Sequence, residues 1–143
     1  MTESPRIPTV MLIDDESFDQ KMYQRVIARS GLVGQVLPFL YADEALAWLK
    51  QPGRAPVDVI FLDINMPRMN GFEFLTAATR DIGADLARIV VIMLTTSLEP
   101  RDRDRARAFP VVRGFINKPL TGQHLLQIAD VLESGTIASA VMI

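Results

Sequence analysis

Three aspartates, a threonine and a lysine of this 143-residue chain each stand where a short apolar run stops. Asp14-Asp15 end the run Val10–Ile13, Asp63 ends Val57–Leu62, Thr95 ends Ile89–Leu94, and Lys118 follows Phe115-Ile116 and Asn117. Short apolar runs bounded by polar residues read as buried strands, so each of these side chains would be delivered at a strand's carboxyl end. Carboxylates brought within a few ångströms raise one another's pKa unless a cation neutralises them. An all-oxygen site with open water positions suits Mg²⁺, which takes phosphate as a co-ligand. Lysine as a point charge and threonine as a hydroxyl donor would complete an anion pocket facing the metal. An aspartate in such a pocket can act as a nucleophile toward a phosphoryl group and form an acyl phosphate.

The elements that must position these residues alternate along the chain. Ser17 to Arg29 has helical spacing, with Phe18, Met22 and Val26, and Ile27 with them, expected on the inward face and Ser30-Gly31 closing it. Val36–Leu40 reads as a strand whose Pro38 lacks a ladder donor, which places it at a sheet edge. Asp43 is expected to cap a helix carrying Leu46 and Leu49, ended by Gln51-Pro52-Gly53. Helices are further expected over Gly71–Arg80, Arg101–Ala108 and Thr121–Leu132. Strand–helix alternation repeated five times is the pattern of a parallel sheet covered on both faces, an α/β doubly wound architecture. In such sheets ligands bind outside the strand carboxyl ends, where the strand order reverses. With the order 2-1-3-4-5, the first and third strands are neighbours, and Asp14, Asp15 and Asp63 meet in one crevice flanked by Thr95 and Lys118.

Composition narrows the alternatives. The chain has no cysteine, which removes thiolate metal sites and cysteine nucleophiles, and a single histidine, His124, which argues against multi-histidine metal sites. A formal charge of −2 offers no broad basic field for nucleic acid. The apolar runs are far shorter than the ~20 residues of a membrane-spanning helix, and the N-terminus lacks the charge pattern of a signal peptide, so a cytoplasmic location is expected. The length suits one domain over 1–143, with a core of about 7–133 and an apolar tail at 134–143.

The segments Ile13-Asp14-Asp15-Glu16, Leu62-Asp63-Ile64-Asn65-Met66-Pro67-Arg68-Met69-Asn70-Gly71, Met93-Leu94-Thr95-Thr96-Ser97 and Gly114-Phe115-Ile116-Asn117-Lys118-Pro119 together resemble the receiver domain of two-component response regulators. Within that family the chain is similar to the stand-alone, chemotaxis-regulator-like type with a flavodoxin-like fold. The resemblance covers roughly residues 7 to 133. It implies that Asp63 is the phosphoacceptor, that Asp15 binds Mg²⁺ directly and Asp14 mostly through water, and that the Asn65 backbone carbonyl is a further ligand. Thr95 and Lys118 would contact the phosphoryl group, and Lys118-Pro119 would be a cis peptide. Thr95 and Phe115 would form the switch pair that reshapes the face of the last two helices and the strand between them, while Asn65 and Ser97 tune hydrolysis of the acyl phosphate. The implied partners are a sensor histidine kinase and a downstream protein target or histidine phosphotransfer protein.

Some features depart from the family pattern. Phe115 replaces the commoner tyrosine, and Thr96 is bulkier than the usual alanine or glycine. Arg101, Arg103, Arg105 and Arg107 interleave with Asp102 and Asp104 in a segment of slightly unusual length, which reads as a solvated helix face or a partner surface. The tail 135–143 carries apolar residues that read either as a disordered end or as a segment docking on a partner or on a second copy, the last giving a homodimer. Two other functional classes compete with the signalling module. A pseudo-receiver would bind without being phosphorylated, but every site residue is present. An aspartate-nucleophile phosphatase of the haloacid dehalogenase type would need an acid two residues after its nucleophile, where this chain has Asn65, and a cap for which there is no room.

Overall fold

Successive side chains of a strand face opposite ways, yet each of Val10, Met11, Leu12 and Ile13 is buried. The first strand, β1 (Ile7–Ile13), therefore needs cover on both faces. In the computed structural model, which describes residues 5–96, 99–134 and 141–142, helices supply it. Val10 and Leu12 pack with Tyr23 and Ile27 of α1 (Ser17–Ser30) and with Leu125 and Ile128 of α5 (Gly122–Ser134). Met11 and Ile13 pack with Leu46 and Leu49 of α2 (Ala42–Leu49), Leu75 of α3 (Gly71–Leu86) and Ala106 of α4 (Pro100–Ala106). Two hydrophobic clusters thus sandwich one sheet, and the site residues are carried out of its edge.

All pairings in that sheet are parallel. The strands β2 (Val33–Phe39), β1, β3 (Val59–Asp63), β4 (Val90–Thr95) and β5 (Val112–Asn117) follow the expected order 2-1-3-4-5. Pro38 lies on the edge strand β2, as its missing N–H requires. Beyond β5 the residues Val141–Met142, β6, pair with Gly114 and Phe115, a short sixth strand where the sequence reading leaves a tail. The rest of the expected tail, 135–140 and 143, falls outside the described residues.

Several expected details differ. The inward residues of α1 are Gln20, Tyr23 and Ile27, whereas Phe18 is 74% exposed. Phe18 stands in the first turn of α1, and Gln20 faces inward instead. There its amide nitrogen donates to the carbonyls of Leu12 (3.0 Å), Asp14 (3.1 Å) and Phe39 (2.9 Å), tying the helix to the strand ends. Gly31 closes α1 in the left-handed conformation, at φ 70°. The residue before α2 is Tyr41, not Asp43. Asp43 lies in the first helical turn, where its carboxylate accepts from Arg68. Helix α3 runs past Arg80 to the buried Leu86 through a non-helical Ile82. Its start is a capping box: Asn70 Oδ1 accepts from the Glu73 backbone N–H, and Glu73 Oε1 accepts from that of Asn70.

Candidate functional site

At the carboxyl edge of the sheet, three neighbouring strands end in polar residues. β1 runs into Asp14 and Asp15, β3 ends on Asp63 and β4 on Thr95. Hydrogen bonds that close the strands place the next residues: the Asp14 N–H donates to the Phe39 carbonyl (3.1 Å) and the Lys118 N–H to the Thr95 carbonyl (2.8 Å). Asp14, Asp15 and Asp63 each bring one carboxylate oxygen within 4.8 Å of the others. Lys118 reaches over from the end of β5. Its Nζ lies 2.9 Å from Asp14 Oδ2, 3.3 Å from Asp19 Oδ2 and 3.7 Å from Asp63 Oδ2. Lys118-Pro119 is cis, as expected.

Burial sets the electrostatics. Asp14 is fully buried, with one oxygen accepting from the Glu16 backbone N–H (3.0 Å) and the other from Lys118. Burial pushes its carboxyl above the ordinary value, and those two donors oppose the shift. Asp63 is pushed up to about 7, first by burial and then by the Asp14 charge, against the pull of Lys118. Burial tends to lower the Lys118 ammonium, but its hydrogen bond to Asp14 and the charges of Asp63 and Asp14 outweigh that and hold it above its usual range. One ammonium does not neutralise this many carboxylates. An oxygen-only set carrying excess negative charge is a fit for a divalent hard cation.

The loop after β3 is fixed from both ends. Gly71 N–H donates to the Ile64 carbonyl at 2.8 Å, and a Cβ at Gly71 would come within 2.7 Å of the Asp63 carbonyl oxygen. Only glycine lets α3 start this close to the residue at the site. Arg68 has φ 69°, stacks 3.9 Å over the Tyr41 ring and pairs with Asp43 and Glu44. Asn65 is exposed at the mouth and Thr95 is buried. Phe115 is half-buried, with the Arg103 guanidinium 5.6 Å from its ring centre. Ser97 lies outside the described residues.

Residues not singled out from the sequence also belong here. Asp19, in the first turn of α1, shares Lys118 with Asp14 and Asp63. Gln20 ties α1 to the strand ends, and Arg68 ties the loop after Asp63 to α2. His124 has a local task as well: its Nδ1 accepts from the Thr121 N–H at 3.0 Å at the start of α5.

A family model described as "Response regulator receiver domain" matches residues 10–130. The chain belongs to that family, the receiver domains of two-component signalling. Hybrid signal transduction histidine kinase C of Dictyostelium discoideum is 33% identical over 128 residues, which are 85% of this chain and 10% of that protein. Response regulator Rcp1 of Synechocystis sp. is 31% identical over 99 residues, 66% of either chain. The chain thus spans a tenth of one curated relative and just under two thirds of the other. A two-component response regulator from Cytophaga hutchinsonii, known from a crystal structure, matches with a TM-score of 0.82 at 28% identity, over 90% of this chain and 98% of that one. Receiver domains are signalling modules that bind Mg²⁺ through acidic residues and are phosphorylated by histidine kinases or phosphotransfer proteins. Among the described residues, no helix is long and apolar enough to cross a membrane.

Proposed function

We propose that the chain is a single cytoplasmic receiver domain, with its core over about 7–133, that accepts a phosphoryl group on Asp63. The observation that carries this is the convergence of Lys118 with Asp14 and Asp63, beside a carboxylate trio whose oxygens lie within 4.8 Å of one another. An Asp63 carboxylate oxygen attacks the phosphorus of a phosphohistidine on a sensor kinase. The O–P bond forms as the P–N bond breaks, and the imidazole leaves with that electron pair and takes up a proton. Asp15, Asp63 and the Asn65 carbonyl would hold Mg²⁺ directly. Asp14, both of whose oxygens are engaged by Glu16 and Lys118, would act through water. Bound there, Mg²⁺ supplies charge neutralisation to the carboxylates and to the phosphoryl oxygens. Lys118 and the Thr95 hydroxyl take the remaining oxygens.

The output is a protein-binding surface on α4, β5 and α5, switched through Thr95 and Phe115. Its reader is a downstream protein or a histidine phosphotransfer protein, not nucleic acid. A second copy of the chain is a further partner through the apolar segment 134–143. Val141–Met142 lie along the edge of β5, and a strand edge pairs as readily with another chain. The chain is not a turnover enzyme: the phosphoryl group stays on Asp63 until slow hydrolysis.

The test is intact mass after incubation with acetyl phosphate, with Mg²⁺ or with chelator, for the native chain and Asp63→Asn. A phosphoryl-sized gain that needs both Mg²⁺ and Asp63 is expected. No gain, together with no binding of beryllofluoride, would overturn the reading in favour of a pseudo-receiver.

A further inference from the structure

Resting on the receiver reading, we propose that Asp19 is a positioning residue for Lys118, holding its ammonium while a cation occupies the three neighbouring carboxylates. Lys118 is nine-tenths buried and has three carboxylate contacts, to Asp14, Asp19 and Asp63. Two of those, Asp14 and Asp63, belong to the trio that would hold the cation. A divalent ion draws on the same carboxylates, Asp63 directly and Asp14 through water, so its arrival weakens the hold of both on the ammonium. Asp19 stands outside the trio. It keeps a full carboxylate on Lys118 at 3.3 Å, presented from the first turn of α1.

The geometry also divides the donors. An ammonium has three N–H groups in a fixed tripod. Asp14 accepts one at 2.9 Å and Asp19 another at 3.3 Å, while Asp63 Oδ2, at 3.7 Å, lies beyond hydrogen-bond reach. With two donors tethered on the α1 side, the third is left for the Asp63 side, where phosphoryl oxygens would sit. Without Asp19, the ammonium depends on Asp14 and Asp63 alone and competes with the cation for them. Asp19 thus favours cation binding without being a ligand.

A double-mutant cycle on the full chain, read as Mg²⁺ affinity by calorimetry, separates this from a bulk-charge effect. Asp19→Asn is expected to weaken Mg²⁺ about fivefold, the upper end for a partly exposed ion pair. In a Lys118→Met background the same change is expected to cost less than about twofold, because the ammonium it positions is gone. Asp19→Glu, long enough to reach Lys118, should stay within about twofold of the native chain. Equal weakening in both backgrounds would mean that Asp19 acts only as one more negative charge, and would overturn the inference. So would the absence of weakening in either. Failure of the receiver reading is distinct: the native chain itself would then neither bind Mg²⁺ nor gain a phosphoryl group.

Discussion

Asp63→Asn should make the cation-free protein more stable. A carboxyl held near 7 instead of its ordinary 3.8 disfavours the ionised form in the fold by up to about 4 kcal/mol. The folded state therefore binds a proton that the unfolded chain has already released, across the window from about pH 4 to 7. The contribution to stability is complete below the lower value and is lost as pH rises through the upper one. Asparagine keeps the shape and removes the charge. In chelator at pH 8 the gain should be about 2–4 kcal/mol, the lower figure allowing for the forfeited attraction to Lys118. For a chain of this size that is roughly 5–12 °C in Tm. At pH 5 the gain should shrink to less than half. Denaturant unfolding between pH 5 and 9 measures it, with the native chain losing stability toward neutral pH and Asp63→Asn changing less. Saturating Mg²⁺ should then stabilise the native chain more than the variant. If Asp63→Asn is no more stable than the native chain at pH 8, or the gap does not widen with pH, Asp63 is not electrostatically strained and the reasoning fails.

Gly71→Ala should destabilise by about 1–3 kcal/mol, since its Cβ would meet the Asp63 carbonyl oxygen at 2.7 Å; chemical unfolding measures the loss, and a neutral result would mean the loop yields. Phe18→Ser should change stability by no more than about 0.5 kcal/mol because the ring is 74% exposed, whereas Ile27→Ala should cost about 2–5 kcal/mol; a reversed order would mean that Phe18 packs inward and Ile27 does not. Truncation after residue 134 should lower the mass measured by light scattering if the C-terminal segment joins two copies, and an unchanged mass would remove the dimer.

The residues that converge at the candidate site were legible because each follows an abrupt change of polarity. Val90 to Thr95 is buried throughout, and an apolar run that ends on threonine marks both a strand and where it leaves the core. What tertiary contact decides was not legible. The apolar residues of α1 fit two overlapping stripes, and the one turned inward is the one that brings the Gln20 amide to the carbonyls of Leu12, Asp14 and Phe39. Asp43 has the chemistry of a cap, but the nearby guanidinium of Arg68 takes its carboxylate. β6 is two residues long, too short for any periodicity to announce it.

The site divides its carboxylates by how firmly each is held. Asp14 is fully enclosed, and both of its oxygens have fixed donors, at 3.0 Å from Glu16 and 2.9 Å from Lys118. Attack through either oxygen would first break one of those bonds. Asp63 is buried too, but its ammonium contact is 3.7 Å, and its carboxyl rises toward neutrality, first from burial and then from the Asp14 charge. The residue least satisfied by the fold is thus the one with most to gain from a cation and from conversion to an acyl phosphate. The same strain that costs stability without a cation would tie reactivity to its presence, which supports the proposal that Asp63, rather than Asp14, takes the phosphoryl group.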